Sequence, residues 1–284
     1  MVVLEHGGNQ KGSAAPERRA HKIYSQDQAG TKADGRASHP RPTQPLLPEV
    51  PARLIEELAA SGQVTTMVQQ VGGPDDEETS AGQTKVLYGP GYITDGLDHL
   101  SFRLSAASFY QVNPVQTRVL YHQVLHYAHL TGREQVLDAY CGVGTIALFL
   151  ARHCRQVLGL ELSSQAVADA RDNARLNHMA NVCFRQGQVE RLLPELLREG
   201  YRPDVVVLDP PRRGCHRLVA EALASRPVPR LVYVSCDPGT LARDLSVLAA
   251  NGYQVLKVQP VDMFPHTHHI ECVVSLKGKS IIPA

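Results

Sequence analysis

Apolar and polar residues recur with two different periods along the second half of this chain, and each change of period marks a predicted strand or helix. Short aliphatic runs such as Val205–Leu208 are typical of strands covered on both faces, and segments with helical spacing of apolar residues lie between them. This alternation predicts an α/β fold, with a mainly parallel sheet and helices on both faces. The predicted strands are 136–139, 156–161, 182–186, 204–208, 230–235, 253–258 and 270–276, and the predicted helices are 114–127, 146–151, 163–177, 189–199, 216–225 and 239–251. Because no helix separates the last two strands, we expect them to form an antiparallel pair.

The amino-terminal part of the chain follows another pattern. Residues 1–48 are rich in Gly, Ser, Ala, Pro, Gln and charge and have almost no periodic apolar positions, so we expect this segment to be disordered. Residues 49–105 predict a small strand-rich subdomain, and residues 106–284 form the predicted α/β domain. The elements predicted in the subdomain are a helix at 52–58 and strands at 64–70, 84–88, 92–95 and 99–104.

Length and composition limit the class of protein. A chain of 284 residues with 43% hydrophobic content can bury a substantial core. No segment approaches the ~20 apolar residues of a membrane span, and the polar start lacks a signal-peptide core, so we expect a cytoplasmic protein without a membrane partner. The formal net charge of +1 neither indicates nor excludes a nucleic-acid partner, because a basic groove can be offset by acidic surface elsewhere.

Cysteine and histidine spacing predicts no metal site. The 6 cysteines form no C-x-x-C pair, and several lie in apolar runs, so most are expected to be buried thiols. His266, His268 and His269 lie close together in a loop next to Pro265, but their spacing matches no common ligand set.

A glycine-spaced turn after the strand at 136–139 is the first candidate for a binding site. Gly142 and Gly144 fit the loose pattern G-x-G-x-x-A, which is typical of a nucleotide-binding turn but also of an ordinary turn between strand and helix. Glu161 ends the next predicted strand, where a carboxylate can accept hydrogen bonds from ribose hydroxyls of NAD or S-adenosylmethionine, or can cap the following helix.

Reactive side chains follow other strands of the same predicted sheet. Asp209-Pro210-Pro211 is a rigid polar turn that could hold a planar substrate, or an ordinary proline-rich turn. Cys236 precedes a predicted helix, whose amino terminus would favour a thiolate, although a lone cysteine is more often a small buried hydrophobe. Glu271 lies in an apolar strand, where a carboxylate needs a partner or a function.

Five motifs carry a resemblance to a known family. In sequence order they are FYQVNP (109–114), DAYCGVGT (138–145), LDPPRRG (208–214), VSCDPGTLARD (234–244), and FPHT with HIE (264–271). Together they resemble the signature series of the RNA uracil-5-methyltransferases, which are class I S-adenosylmethionine enzymes that make 5-methyluridine in ribosomal and transfer RNA. The run CDPGTLARD most resembles the bacterial 23S ribosomal RNA branch.

The resemblance implies a role for each matched residue. The implied catalytic residues are Cys236, as the nucleophile, and Glu271, as the general base. Thiolate addition at uracil C6 would create an enolate that attacks the sulfonium methyl group, and a base would then remove the C5 proton. The cofactor-binding residues predicted for S-adenosylmethionine are Gln111, Tyr140, Gly142, Thr145, Glu161, Gln188 and Asp209.

Part of the family pattern is not visible in this sequence. Ribosomal members usually carry an OB-like RNA-binding domain and often a cysteine-rich iron–sulfur segment, whereas every cysteine here lies at or after Cys141. We therefore expect no iron–sulfur cluster and a shortened, monomeric enzyme with weakened affinity for 23S ribosomal RNA. Two alternatives remain at this point: an NAD-linked oxidoreductase and a truncated, non-catalytic RNA-binding relative.

Overall fold

The computed structural model describes residues 2–5, 50–70, 84–106 and 108–279. The chain divides into two compact units, Met1–Ile93 and Thr94–Ala284. This division falls within the predicted strand 92–95 and before the predicted strand 99–104. The small subdomain was expected to extend further, to residue 105. Within the described residues, no helix is both long and apolar enough to cross a bilayer.

The first unit contains an antiparallel sheet of three strands in the order β1-β2-β3. Met67 and Val68 of β2 are fully buried. Strand β1 was not predicted, because it lies in segment 1–48, which was expected to be disordered. The rest of that segment, Met1 and residues 6–48, is outside the described residues. The elements are β1 Val2–Glu5, α1 Ala52–Ala60, β2 Val64–Gln70 and β3 Thr84–Tyr88.

The second unit is built on a seven-stranded sheet with the order β11-β12-β10-β9-β6-β7-β8. Strands β6 to β10 are parallel, and β12 runs antiparallel to both β10 and β11. The predicted α/β fold and the predicted closing antiparallel pair are therefore confirmed. The elements are β4 Tyr92–Leu97, β5 Leu100–Ser105, α2 Pro114–Ala128, β6 Gln135–Ala139, α3 Thr145–Ala151, β7 Gln156–Glu161, α4 Ser164–Leu176, β8 Val182–Gln186, α5 Val189–Arg198, β9 Val205–Leu208, α6 Arg217–Ser225, β10 Arg230–Ser235, α7 Pro238–Ala250, β11 Tyr253–Val261 and β12 Glu271–Gly278.

Local sequence signals account for several of these boundaries. Asn113 caps α2 by accepting a hydrogen bond from the N–H of Gln116 (3.2 Å), and Pro114 occupies the first turn, where no N–H is needed. Ser163 caps α4 in the same way. All four residues of β9 are buried, as expected for a central parallel strand with both faces covered.

Strand β5 belongs to the second unit because α4 binds its backbone. Asn173 accepts a hydrogen bond from the N–H of Arg103 (2.7 Å) and donates to its carbonyl oxygen (3.3 Å). Asn177, one turn later, makes the same pair of bonds with Ser101 (2.9 and 2.7 Å). The two amides pair with alternate residues of β5 as a neighbouring strand would, and this pairing is a long-range contact that the local pattern does not encode.

The strand order places a crevice at the carboxyl ends of β6 and β9. From β6 the chain continues through β7 and β8 on one side, and then returns to β9 and β10 on the other. Ligands of open α/β sheets bind where the order reverses in this way. Asp138 lies in β6, and Asp209 follows β9 directly.

Candidate active site

The glycine-spaced turn after β6 has a left-handed backbone at several positions. The φ angles of Tyr140, Gly142 and Gly144 are 65°, 54° and 82°. A Cβ added at Gly144 would lie 2.8 Å from Cζ of Phe184, whereas one added at Gly142 would have no neighbour within 4 Å. Gly144 therefore allows close packing between the turn and β8, while Gly142 leaves open space that a ligand can enter.

Substituting alanine for each of these two glycines is expected to have different effects: one substitution mainly lowers stability, and the other mainly weakens ligand binding. Gly144→Ala should lower the free energy of unfolding by more than about 2 kcal/mol, because backbone strain and a clash with Phe184 add. Gly142→Ala should cost only about 1–2 kcal/mol of strain but weaken binding of S-adenosylmethionine, the ligand that the family resemblance predicts. Urea unfolding and calorimetry measure the two effects, and equal losses of stability would contradict this assignment.

Glu161 fixes the position of the turn. Its Oε2 accepts a hydrogen bond from the N–H of Gly142 (3.0 Å), and its Oε1 accepts one from the N–H of Ser163 (2.8 Å). A carboxylate has about four acceptor sites, so two remain for hydroxyl groups of a ligand. The side chain thus links the end of β7 to the turn and still has acceptors to offer.

Two buried side chains in the crevice have acceptor atoms without a partner. Asp138 is 0% exposed and Gln111 is 8% exposed. Among the described residues, nothing hydrogen-bonds to either carboxylate oxygen of Asp138 or to Oε1 of Gln111. Buried polar atoms are almost always paired in native proteins, so these three atoms fit a ligand that brings hydrogen-bond donors or positive charge.

Burial is the largest cause that raises the pKa of Asp138, and the charges of Asp209 and Glu161 add to it. The backbone N–H of Ala147 is near enough to oppose this rise in the pKa of Asp138, but it does not form a hydrogen bond of normal geometry with either carboxylate oxygen. Asp138 was not among the residues predicted to bind the cofactor. Its position at the end of β6, directly before the glycine turn, was the signal that could have identified it.

A second group of acidic side chains lies at the ends of β9 and β12. Burial, followed by the charge of Glu271, raises the pKa of Asp209 to about 7. Glu271 is 4% exposed, and burial raises its pKa too, although the guanidinium of Arg212 opposes this shift. The crevice therefore holds carboxyl groups that a cationic ligand would help to ionise.

Strand register brings the predicted nucleophile and base to the same end of the sheet. Ser235 of β10 is paired with Cys272 of the antiparallel β12. Cys236 comes directly after Ser235, and Glu271 comes directly before Cys272. Because the strands are antiparallel, both residues lie one position beyond this pair, at the same edge of the sheet. Cys236 is half-buried, whereas the other described cysteines are either buried or, in the case of Cys183, exposed.

The resting protonation state of Cys236 differs from the sequence prediction. We expected the amino terminus of α7 to favour a thiolate. Burial, the charge of Glu271 and the charge of Asp209 instead raise the pKa of Cys236, with Arg212 acting in the opposite direction. The structure thus indicates a protonated thiol.

The cap of α7 explains why the helix terminus does not activate this thiol. Asp237 accepts a hydrogen bond from the N–H of Thr240 (2.8 Å), and its pKa is lowered by this bond and by the N–H of Gly239. The carboxylate of Asp237 therefore already binds the N–H of Thr240 and offsets the positive end of the helix dipole.

The remaining predicted cofactor residues are Thr145, Tyr140 and Gln188. Oγ1 of Thr145, at the start of α3, accepts a hydrogen bond from the hydroxyl of Tyr121 (2.8 Å). Burial raises the pKa of Tyr140, and the backbone N–H of His216 opposes this. Gln188 is the cap residue of α5, but its side chain makes no capping hydrogen bond. The cofactor roles of these three residues stay predictions.

Comparisons with known proteins support the family resemblance. The family profile described as tRNA (Uracil-5-)-methyltransferase matches residues 79–279. Proteins named "Uncharacterized RNA methyltransferase" are similar to this chain in Bacillus cereus (48% identical, covering 79% of this chain and 49% of the relative) and in Halalkalibacterium halodurans (49% identical, covering 80% and 50%). The chain spans about half the length of the curated relatives it matches.

A solved structure that is similar to this chain also comes from a uracil-C5 methyltransferase. It is the Pyrococcus abyssi tRNA (uracil-54, C5)-methyltransferase in complex with S-adenosyl-L-homocysteine, with a TM-score of 0.63 and 30% identity, covering 75% of this chain and 51% of that one. The likeness favours a methyl donor over NAD as the ligand of the glycine turn. From the profile match over residues 79–279, the chain belongs to the tRNA (uracil-5-)-methyltransferase family.

Proposed function

We propose that this chain is the catalytic part of an S-adenosylmethionine-dependent RNA methyltransferase that methylates C5 of uracil, with 23S ribosomal RNA as its substrate. The observation that carries the proposal is the arrangement at the carboxyl edge of the sheet. There, strand register brings the half-buried thiol of Cys236 and the carboxyl group of Glu271 to the same end of the sheet, and the charges of Glu271 and Asp209 act on this thiol. The crevice at this edge is lined by unpartnered acceptors.

The acceptors in the crevice fit the proposed methyl donor. S-adenosylmethionine supplies a methyl group on a positively charged sulfur, together with an ammonium group and ribose hydroxyls. Asp138 and Asp209 would stabilise the positive charges, and the remaining acceptor sites of Glu161 would bind the hydroxyls. Oε1 of Gln111 provides a further buried acceptor for a donor of the ligand.

Cys236 and Glu271 would act in two consecutive steps on the uracil ring. The thiol of Cys236 would first release its proton to solvent, and the sulfur would then form a bond to C6. The electron pair displaced from the C5–C6 double bond would make C5 nucleophilic, so that C5 would take the methyl group and leave S-adenosylhomocysteine. Glu271 then removes the proton from C5, the double bond re-forms, and the bond between C6 and the sulfur breaks. The raised pKa of Glu271 suits it to accept a proton near neutral pH.

An exposed apolar patch supports an RNA substrate. Phe109 is 75% exposed, and Val112 and Val115 next to it are also exposed, on the same short segment as Gln111. An enzyme that acts on a base must take that base out of its stack, and aromatic side chains commonly stack on extruded bases. Phe109 is exposed and lies two residues before Gln111 in the sequence, so we expect it to stack on such a base.

The proposal is tested by incubating the protein with labelled S-adenosylmethionine and transcripts of 23S ribosomal RNA or transfer RNA, followed by nucleoside analysis. We expect 5-methyluridine in the ribosomal transcript. Label in transfer RNA alone would retain the reaction but overturn the substrate. Label in another nucleoside, or none with either RNA, would overturn the proposed reaction.

The affinity for S-adenosylmethionine is expected to rise with pH through about 7. Asp209 has a pKa of about 7, so it is mostly neutral below that pH and negatively charged above it, and only the charged form attracts the sulfonium. Calorimetry between pH 6 and 8 measures this dependence. The matched variant Asp209→Asn should bind more weakly with a flatter profile; a wild-type affinity that does not change with pH would contradict the role of Asp209.

A further inference from the structure

The start of α7 is tied to the loop that follows β9, residues 209–215. Three side chains in the first two turns of α7, which begins two residues after Cys236, bind backbone groups of this 209–215 loop. The hydrogen bonds run from Thr240 Oγ1 to the carbonyl oxygen of Arg212 (3.1 Å), from Arg243 Nη2 to the carbonyl oxygen of Arg213 (2.8 Å), and from the N–H of Cys215 to Asp244 Oδ2 (2.6 Å).

Asp244 is the centre of these contacts. It is 5% exposed, and its Oδ2 accepts from the hydroxyl of Tyr233 (2.6 Å) as well as from the N–H of Cys215. Its Oδ1 accepts from Nε of Arg243 (2.8 Å) and lies equally close to Nη2 of the same guanidinium (2.8 Å). A buried carboxylate is stable only when its acceptors are satisfied, and both oxygens of Asp244 are.

The loop backbone packs directly against this network. Gly214 has a φ angle of 81°, and a Cβ added there would lie 2.5 Å from Asp244 Oδ2 and 2.5 Å from Arg243 Nη2. Only glycine allows this approach. The side chains of Arg243 and Asp244 therefore determine how close the loop backbone lies to α7.

The same loop carries one of the charges that act on the nucleophile. The guanidinium of Arg212 lowers the pKa of Cys236 and of Glu271, against the effects of burial. Asp209 follows β9 directly, and its N–H donates to the carbonyl oxygen of Ala139 (3.4 Å), so the sheet itself holds it. Arg212 lies three residues further on, in the part of the loop that α7 holds.

We propose that Asp244 is a positioning residue, which holds the 209–215 loop against α7 so that Arg212 stays beside Cys236 and Glu271. The inference rests on the proposed function, because Asp244 can affect catalysis in this way only if Cys236 is the nucleophile. It concerns a residue that touches neither the substrate nor the methyl donor, and whose effect on catalysis passes through Arg212.

The test compares Asp244→Asn with the wild type by the pH dependence of Cys236 alkylation with iodoacetamide. Mass spectrometry of the Cys236 peptide follows the reaction, in a Cys183→Ser background because Cys183 is exposed and would react as well. We expect the alkylation midpoint of Asp244→Asn to move to higher pH. For methyl transfer, kcat should fall by about 10- to 100-fold with little change in the KM for S-adenosylmethionine, because Asp209 keeps its place.

A double-mutant cycle shows whether the effect passes through Arg212. In an Arg212→Gln background, Asp244→Asn is expected to cause no further shift of the alkylation midpoint. A shift of equal size in both backgrounds would overturn the proposal. So would a loss of thermal stability in Asp244→Asn with an unchanged alkylation profile, since that is the result of a purely structural role.

Two further variants keep the test decisive. Glu134 is a buried carboxylate that accepts hydrogen bonds from the N–H and hydroxyl of Thr131 (2.8 and 2.7 Å) at the opposite, amino end of β6. Glu134→Gln should lower stability without moving the Cys236 profile. If Asp244→Asn does not fold, Thr240→Val removes the bonds from Oγ1 to the carbonyl oxygens of Arg212 and Asp237 but keeps the N–H of Thr240 on the Asp237 carboxylate, and it should shift the midpoint in the same direction.

Alkylation needs neither RNA nor methyl transfer, so its outcome is separate from that of the proposed function. If the wild type fails to methylate RNA but the alkylation cycle behaves as expected, the proposed reaction is wrong and the contact network stands. If the wild type methylates RNA but the cycle is additive, the positioning role is wrong.

Discussion

Replacing Cys236 with alanine is expected to abolish methyl transfer, with a loss of at least about 10⁴-fold. Without the thiol, no covalent bond to C6 forms, and C5 of uracil is too weak a nucleophile to take the methyl group unaided. The rate of label transfer from S-adenosylmethionine measures the loss. RNA that contains 5-fluorouridine should form a covalent adduct with the wild type and none with Cys236→Ala.

The other cysteines provide the control for this variant. Cys183 is exposed on β8, and Cys183→Ala should keep both methyl transfer and the adduct. Cys272 is buried next to Glu271 and has a pKa that burial raises, so it is a poor nucleophile. An undiminished adduct in Cys236→Ala would remove Cys236 as the nucleophile and direct attention to Cys272.

Glu271→Gln is expected to stop the reaction at a later point. The amide cannot accept the C5 proton, so the methylated adduct should accumulate, and multiple turnover should slow by about 10²- to 10⁴-fold. Thiol addition should remain possible. The charge of Glu271 raises the pKa of Cys236, and its removal therefore lowers that pKa and favours the thiolate.

Single-turnover and multiple-turnover kinetics distinguish the two steps. We expect near-normal methyl transfer to the first equivalent of RNA, followed by little release. Glu161→Gln is the matched control, because it changes a carboxylate that is predicted to bind the methyl donor. It should raise the KM for S-adenosylmethionine and leave release fast. Turnover of Glu271→Gln at the wild-type rate would exclude Glu271 as the base.

Much of the fold could be predicted because its signals are local. The buried aliphatic run of β9, the alternation of strands and helices, and the cap at Asn113 each depend on residues that are neighbours in sequence. The antiparallel pair β11 and β12 also followed from the absence of a helix between them. Boundaries differed by up to a few residues, because the ends of helices and strands carry weaker local signals than their centres.

Long-range pairing decided what local patterns missed. Strand β1 exists through its pairing with β2, more than fifty residues later. The same holds for the hydrogen bonds that Asn173 and Asn177 make with β5. Asp138 stood in a recognised motif, but its lack of partners became visible only when the residues around it were placed.

The sequence by itself determined the family and the candidate catalytic and cofactor-binding side chains, because both depend on residue identity and spacing. Only the tertiary structure decided how those side chains affect each other. Strand register places Cys236 and Glu271 at the same edge, and burial, together with the charges of Glu271 and Asp209, then raises the pKa of the thiol and keeps it protonated. The helix terminus alone predicted a thiolate, because burial and the charges carried by other strands are set by the tertiary structure and cannot be read from neighbouring residues.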